Sequence, residues 1–214
     1  MVHPLVAEIG SPSKFDRIVA ELTETGLSIC DDFISPLLVN SMAHEARSLW
    51  QQGAFRHARV GRGSSLQVRP EIRNDNICWL DPENLTAIQR PYFNDLEILR
   101  HHINSKLFLG LFEFEGHFAL YPQGSFYNIH YDRFIGALER MVTCIIYLNH
   151  EWTAEDGGAL QLHEGTAASS LSLPMQVLPQ GGRLVCFLSE AFPHEVLAAN
   201  RDRLSLTGWF RIRP

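Results

Sequence analysis

The sequence lacks features that several classes of protein require. It has no basic excess, since 18 Lys and Arg stand against 24 Asp and Glu and the net charge is −6 at pH 7. A protein that grips nucleic-acid phosphates needs a basic surface, so this composition argues against one. No apolar run approaches membrane-spanning length, and the opening MVHPLVAEIGSPSK lacks the basic start and apolar core of a signal peptide. We therefore expect a cytoplasmic protein with no nucleic-acid and no membrane partner.

Cysteine is scarce as well. The 214-residue chain has four cysteines, all far apart, and no Cys-x-x-Cys pair. Three of them lie in apolar stretches such as VTCIIYL and LVCFL, which predicts buried free thiols in a reducing compartment rather than disulfides or zinc ligands. Internal repeats and low-complexity tracts are also missing. The chain has enough apolar material for one globular domain, residues 1–214.

The first half of the chain, residues 1–110, has mainly helical patterns. SKFDRIVAELTETG has helical spacing and a stop at Gly26, and a second helix begins at Ser35 and Pro36 and ends at Gly53. The segment PYFNDLEILRHHINSKLF predicts a third helix. Between the second and third helices, HARVGRGSSLQVRPEIRNDNICWL predicts a long loop that runs into a strand ending at Trp79. Long loops inside compact domains often cover a binding site.

The second half, residues 111–214, has strand patterns. Its short segments are rich in β-branched and aromatic residues and are punctuated by glycine, proline and asparagine: HFALYPQG, FYNIHYD, RMVTCIIYLN, GALQLHE, MQVLPQGGRLVCFLS, HEVLAA and RLSLTGWFRI. Such spacing is typical of an antiparallel sandwich or barrel. We predict an α+β, mainly β fold, with the N-terminal helices packed on one face of the sheet core.

One strand-like run, SFYNIHYDRF, places a histidine and an aspartate two residues apart. His130 and Asp132 would point to the same face of a strand, about 7 Å apart, and could hold adjacent positions on a divalent ion. Alone, the pair is a weak signal and fits a hydrogen-bonded piece of core as well. His194, directly after Pro193, is a candidate third ligand. Two histidines and a carboxylate leave coordination positions open on iron(II), although catalytic zinc also uses this set.

Arg203 is the next candidate, nine positions after His194. If it faces the interior, its permanent charge needs an anion, and a small dicarboxylate bound at the metal would supply one. The alternative is a surface arginine, like Arg201, paired with Asp202. Arginine is rarely fully buried, which favours the surface when Arg203 is taken alone.

The ordered set YPQGSFYNIHYDRF, RMVTCIIYLNHEW, GGALQLH, GRLVCFLSEAFPHEV and RDRLSLTGWF resembles the 2-oxoglutarate- and iron(II)-dependent oxygenases. Within them it is most similar to the prolyl hydroxylases that modify hypoxia-inducible factor and to their bacterial relatives of the Pseudomonas type. The resemblance covers at least residues 70–212. It implies a double-stranded β-helix (jelly-roll) core and a dioxygenase that uses Fe(II), 2-oxoglutarate and O₂, with ascorbate as a stimulant. The resemblance also makes oxygen sensing a candidate role.

The resemblance assigns roles residue by residue. His130, Asp132 and His194 match the iron ligands. Arg203 and Tyr147 match residues that share the distal carboxylate of 2-oxoglutarate, and Tyr121 matches a tyrosine near its chelating end. The matches to apolar pocket walls are Ile145, Leu160 and Trp209. Asp75 and Arg140 match an acid and a base that tie the substrate loop to the barrel, and Arg73 matches a candidate substrate contact. His117 and His163 match positions that are not ligands.

The resemblance also implies a substrate, a protein with an exposed prolyl residue that is hydroxylated at C4. Bacterial members act on elongation factor Tu, which is therefore a candidate partner. The sequence ends at Pro214, where the animal enzymes continue, so we expect a different selection of peptides. Two alternatives remain open. One is an oxygenase of the same fold acting on a free amino acid or small molecule, against which the long loop at 58–75 argues. The other is a non-catalytic jelly-roll binding or sensor module, which would not need all of His130, Asp132, His194 and Arg203.

Overall fold

Three α-helices occur among the residues that the computed structural model describes, which are 12–61, 66–133, 138–165 and 171–213. They are Lys14–Thr25 (α1), Pro36–Gln51 (α2) and Arg90–Leu107 (α3). The predicted ends are close to the observed ones. Ser13 and Ser35 cap α1 and α2 with their side chains, and Gly26 ends α1 in the left-handed conformation at φ 76°. Within these ranges no helix is both long and apolar enough to cross a membrane.

The same residues form eleven strands. In chain order they are Leu27–Cys30 (β1), Arg56–His57 (β2), Asn76–Trp79 (β3), Glu113–Tyr121 (β4), Tyr127–His130 (β5), Arg140–Tyr147 (β6), Leu160–Leu162 (β7), Met175–Val177 (β8), Leu184–Leu188 (β9), His194–Val196 (β10) and Arg203–Arg211 (β11). A major sheet of seven strands has the order β1-β9-β6-β11-β4-β3-β2, and a minor sheet of four has the order β5-β10-β7-β8. Neighbouring strands in both sheets are antiparallel.

The major sheet is buried on both faces. Because side chains alternate along a strand, Phe118 and Leu120 point to the helices, where they share a core with Leu22 of α1 and other helix residues. Ala119 and Tyr121 point the other way and pack in a second core with residues of the minor sheet. The helices therefore cover one face and the minor sheet covers the other. This confirms the prediction of a mainly β α+β fold with a jelly-roll core.

Each segment predicted as a strand contains one, but β5 is shorter than expected. It ends at His130, so Asp132 lies in the bend that follows the strand and not on the strand face with His130. The assumption that the two side chains project from one strand was therefore wrong. The bend brings Asp132 to His130 by turning the chain.

The predicted loop between α2 and β3 lies against β5. Residues 62–65 of that loop lie outside the described residues, as do residues 1–11 and Pro214, on which the signal-peptide and chain-end arguments drew. Beyond the gap, Asn128 donates its backbone N–H to the Ile72 carbonyl at 2.9 Å, and the Asn74 side chain accepts from the Phe126 backbone at 2.8 Å. These bonds tie the second half of the loop to the strand that carries His130.

Candidate active site

His130, Asp132 and His194 converge in the space between the two sheets. The strand register pairs His194 of β10 directly with His130 of β5, which places the two rings side by side with centroids 4.3 Å apart. One ligand atom from each of the three residues lies within 4.8 Å of the others. The Nε2 atoms of His130 and His194 are 3.6 and 3.5 Å from the two oxygens of Asp132. Only this triad, among the described residues, forms such a group.

Both histidines are held in the tautomer that a metal ligand requires. The Nδ1 atom of His130 lies 2.8 Å from the Asn128 carbonyl, and that of His194 lies 3.1 Å from the Phe192 carbonyl. A carbonyl only accepts, so each Nδ1 carries the proton and each Nε2 keeps a free lone pair. Backbone carbonyls commonly orient metal-binding histidines in this way.

The charge of Asp132 is favoured despite its burial. Burial alone would raise the pKa of this carboxyl, but His194 and His130 lower it, and so does the hydroxyl of Thr143, which donates to Asp132 Oδ2 at 2.8 Å. The net effect is a lowered pKa. Burial also lowers the pKa of His130 to about 3, helped by the neighbouring His194. A divalent cation binds an ionised carboxylate and an unprotonated imidazole nitrogen, so the states of Asp132 and His130 suit metal binding.

Arg203 and Tyr121 line one end of the pocket and Tyr147 packs beside Arg203; we call these three residues the Arg203 cluster. Arg203 begins β11 directly opposite Tyr121, the last residue of β4. Its guanidinium carbon lies 4.9 Å from the Tyr121 ring centre and 5.0 Å from that of Tyr147. The alternative of a surface arginine paired with Asp202 is wrong, since Arg203 is 1% exposed. Asp202 instead accepts a bond from the Gln123 backbone, and Arg201 pairs with Asp156.

The Arg203 cluster has unused hydrogen-bonding capacity. The Nε of Arg203 donates to the Gly158 carbonyl at 2.8 Å, and no carboxylate among the described residues forms an ion pair with it. A guanidinium has five N–H donors, so most remain available. The Tyr147 hydroxyl is buried without a well-formed hydrogen bond. A buried cation beside a buried unpaired hydroxyl fits a carboxylate guest, because such groups are costly when left unsatisfied.

The other end of the same strands carries a second group, which we call the tryptophan cluster: Trp79, His117, Arg140 and Trp209. The register places His117 of β4 between Trp79 of β3 and Thr207 of β11. The His117 ring centroid lies 4.7 Å from that of Trp79 and 5.6 Å from that of Trp209. Arg140 lies 3.5 Å above the Trp209 ring. Trp79 is 51% exposed, so this end of the pocket reaches solvent.

The predicted partnership of Asp75 with Arg140 is not formed in this structure. Asp75 is buried and forms a bidentate ion pair with Arg73 at 2.7 and 2.6 Å, whereas Arg140 bonds Glu115 at 2.8 Å. Sequence spacing did not reveal the nearer partners. Asp75 still ties the loop to the barrel, because it holds Arg73 against the sheet that carries the triad.

Arg73 contacts the triad through an aromatic stack. Its guanidinium carbon lies 4.1 Å from the Tyr127 ring centre, and the Tyr127 ring stacks on His130 at 3.6 Å with 14° between the planes. The Asp75–Arg73 ion pair therefore supports one face of a triad histidine. This gives Arg73 an observed role in positioning, beside the substrate contact that was predicted for it.

The structure brings together every predicted site residue except the Asp75–Arg140 pair. The pocket lining includes the triad, Arg203, Tyr121, Arg73, Arg140 and the three predicted walls Ile145, Leu160 and Trp209. Sequence reasoning missed Thr143 and Tyr127 and gave no role to His117. A signal was present for two of these, since Thr143 alternates with Ile145 and Tyr147, and His117 alternates with Tyr121, on the pocket face of their strands.

Comparison with known proteins agrees with this geometry. The family model described as the 2OG-Fe(II) oxygenase superfamily matches residues 116–211. Human "Egl nine homolog 1" is 31% identical over 91% of this chain, and the Caenorhabditis elegans "Hypoxia-inducible factor prolyl hydroxylase" is 27% identical over 91%. The chain spans 46% and 28% of the lengths of these two relatives.

Two solved structures are similar over nearly the whole fold. A Pseudomonas putida prolyl-4-hydroxylase has a TM-score of 0.82 and 40% identity, with 94% of this chain and 100% of that chain covered. A Trichoplax adhaerens prolyl hydroxylase, solved with a peptide fragment of the hypoxia inducible factor oxygen degradation domain, has a TM-score of 0.80 and 25% identity. The match covers 92% of this chain and 88% of that one.

Proposed function

Because this chain belongs to the 2OG-Fe(II) oxygenase superfamily and is similar to its prolyl hydroxylases, we propose that it hydroxylates a prolyl residue of a protein at C4. The observation that carries the proposal is the pocket itself. The triad lies between a buried arginine, which has no carboxylate partner among the described residues, and a partly exposed aromatic wall. A small dicarboxylate fits the first end, and a peptide fits the second. We propose the whole chain, 1–214, as one oxygenase domain.

In this proposal the residues of the triad hold Fe(II). His130 and His194 would offer Nε2 and Asp132 a carboxylate oxygen, and three protein ligands would leave the metal able to take further ligands. Thr143 orients Asp132 by donating to Oδ2, and this hydrogen bond helps to lower the pKa of the carboxyl. Tyr127, held by Arg73, stacks on His130 and limits rotation of that ring.

Arg203 and Tyr147 would bind the distal carboxylate of 2-oxoglutarate. The guanidinium donates its remaining N–H groups and the Tyr147 hydroxyl donates its proton, which satisfies both buried groups. Ile145 and Leu160, both buried, exclude water along the pocket wall. When bound, iron and 2-oxoglutarate supply the oxidising chemistry, in which O₂ is consumed with release of succinate and CO₂.

The substrate is inferred from the relatives and from the loop. The Trichoplax neighbour was solved with a peptide of a hypoxia inducible factor, which supports a peptide substrate here. The loop from α2 to β3 runs beside β5 and would border a bound peptide. Elongation factor Tu is our candidate protein. The cysteines at 30, 78, 144 and 186 are free thiols, which supports a reducing, cytosolic location.

The test is a search for the modified protein. Iron-loaded enzyme is incubated with 2-oxoglutarate, ascorbate and either bacterial extract or purified elongation factor Tu, and peptides are analysed by mass spectrometry for a proline that gains one oxygen. We expect one such proline, together with stimulated release of succinate. If no protein and no prolyl peptide stimulates succinate release, the proposal is refuted. If a free amino acid stimulates it instead, the substrate class is wrong.

A further inference from the structure

His117 is a buried polar side chain in the pocket that no step above uses. It is 4% exposed and packs against the rings of Trp79 and Trp209, which also contact each other with centroids 6.3 Å apart. Neither ring nitrogen forms a hydrogen bond within the described part of the chain; Nδ1 is fully buried, so Nε2 is the nitrogen that a guest can reach. An unpartnered buried polar atom is uncommon in folded proteins, because it forfeits its bonds to water. The side chain therefore has capacity for a partner that the chain itself does not supply.

The ring is neutral at physiological pH. The pKa of His117 is lowered to about 3. Burial is the largest cause, and the charges of Arg73 and Arg140 add to it, while Asp132 acts in the opposite direction. A neutral imidazole has one N–H donor and one acceptor nitrogen. Such a ring does not attract an anion, but it does form hydrogen bonds with amide groups.

His117 is too far from the Arg203 cluster to share its guest. Tyr121 lies four positions after it along β4, a distance of about 13 Å in an extended strand. Its immediate neighbours, Trp79 and Trp209, belong to the tryptophan cluster, which reaches solvent through Trp79. The partner of His117 must enter from that side, where the proposed peptide enters.

We propose that His117 is a substrate-binding residue that donates a hydrogen bond to a main-chain carbonyl of the peptide beside the target proline. This inference rests on the proposed prolyl hydroxylase function. A prolyl residue has no backbone N–H, so the polar main-chain group that it offers is its carbonyl. Trp79 and Trp209 pack against the imidazole on adjoining sides and restrict its rotation.

The test compares two variants with the wild type. His117→Phe keeps a flat ring against the tryptophans and removes the hydrogen bond, whereas His117→Gln keeps a donor and an acceptor. The probe is a pool of synthetic peptides with one proline each, and KM and kcat are measured for the peptides that the wild type hydroxylates. We expect His117→Phe to raise KM about 10-fold, in line with the loss of one buried hydrogen bond, and His117→Gln to restore most of it. The affinity for 2-oxoglutarate should not change in either variant.

Thermal unfolding of the metal-free proteins distinguishes this role from a structural one. If His117 serves binding, His117→Phe should be at least as stable as the wild type, since it removes an unsatisfied buried atom. A variant that hydroxylates peptides with unchanged KM, or that loses stability in proportion to its activity, overturns the inference and leaves the proposed function standing. If the wild type hydroxylates no proline in any peptide or protein, both are refuted.

Discussion

The two ends of the pocket are built on the same strands but differ in how they meet solvent. The Arg203 cluster is sealed, with its arginine 1% exposed and its Tyr147 hydroxyl buried. The tryptophan cluster is partly open, because Trp79 is half exposed and Arg140 lies across Trp209 at the rim. The triad lies in the pocket that joins them.

This difference matches two kinds of guest. A sealed end with a fixed charge suits a small anion of constant shape, whose binding energy comes from charge-assisted bonds out of water. An open end with flat aromatic surfaces suits a peptide, which contributes apolar contact and a few hydrogen bonds from its amide groups. The account therefore predicts that substitutions at one end change the binding of one guest only.

Arg203→Ala should have the largest effect. It removes the buried cation that the dicarboxylate would meet, which should raise the Kd for 2-oxoglutarate by a factor of about 100 or more and spare metal binding. Calorimetric titration of the metal-loaded protein measures both. Arg201→Ala is the matched control, because that neighbouring arginine pairs with Asp156 at the surface. An unchanged Kd in Arg203→Ala would contradict the assignment of the sealed end.

The acid sensitivity of folding tests whether the tryptophan cluster holds a neutral imidazole. His117 has a lowered pKa, so the unfolded chain binds a proton that the folded chain does not, once the pH falls below the usual histidine value near 6.5. Stability should therefore fall by about 2 kcal/mol between pH 7 and pH 5 from this residue alone. Urea unfolding of metal-free wild type and His117→Phe isolates the effect. If the free energy of unfolding depends on pH equally in both proteins, the His117 imidazole is not shielded from protonation in the folded state.

Gly158→Ala should disturb the sealed end without removing a charge. Gly158 has φ +65°, and its carbonyl accepts the hydrogen bond from Arg203 Nε. A Cβ added at Gly158 would lie 3.1 Å from the Cδ of Arg203. We expect the Kd for 2-oxoglutarate to rise about 10-fold, since the guanidinium must shift. Gly53→Ala is the control, because it has a similar φ of +72° with open space around it. Equal losses in both variants would indicate general backbone strain.

Trp79→Ala should have the smallest effect. Half of the Trp79 side chain is in water already, so its removal should raise the peptide KM about 3-fold through lost aromatic contact and leave the Kd for 2-oxoglutarate unchanged. Trp50→Ala removes another partly exposed tryptophan from a different surface, on α2, and should change neither value. A change in 2-oxoglutarate affinity in Trp79→Ala would contradict the prediction that each end of the pocket binds one guest independently.

The sequence predicted the fold well because its signals are local. Short runs of β-branched and aromatic residues, separated by glycine, proline and asparagine, predicted β4, β6 and β11, and serine caps predicted the starts of α1 and α2. The triad followed from residue type and from resemblance. The bend that brings Asp132 to His130 did not follow, since strand alternation ends at His130.

Long-range pairing and burial were harder to predict. Nothing in the sequence around Asp75 indicates that it pairs with Arg73, two residues away, rather than with Arg140. Arginine is usually exposed, so the burial of Arg203 depended on register between β4 and β11, which a single sequence does not state. His117 had only its alternation with Tyr121 to mark it as a pocket residue.

The ratio of succinate to hydroxyproline formed tests the division of the pocket most directly. In the wild type the two products should form in equal amounts with a prolyl substrate. In Arg203→Ala both should fall together, because 2-oxoglutarate no longer binds. In His117→Phe hydroxyproline should fall more than succinate, because 2-oxoglutarate is still consumed while the proline is poorly placed. A ratio that stays the same in all three proteins would contradict the account.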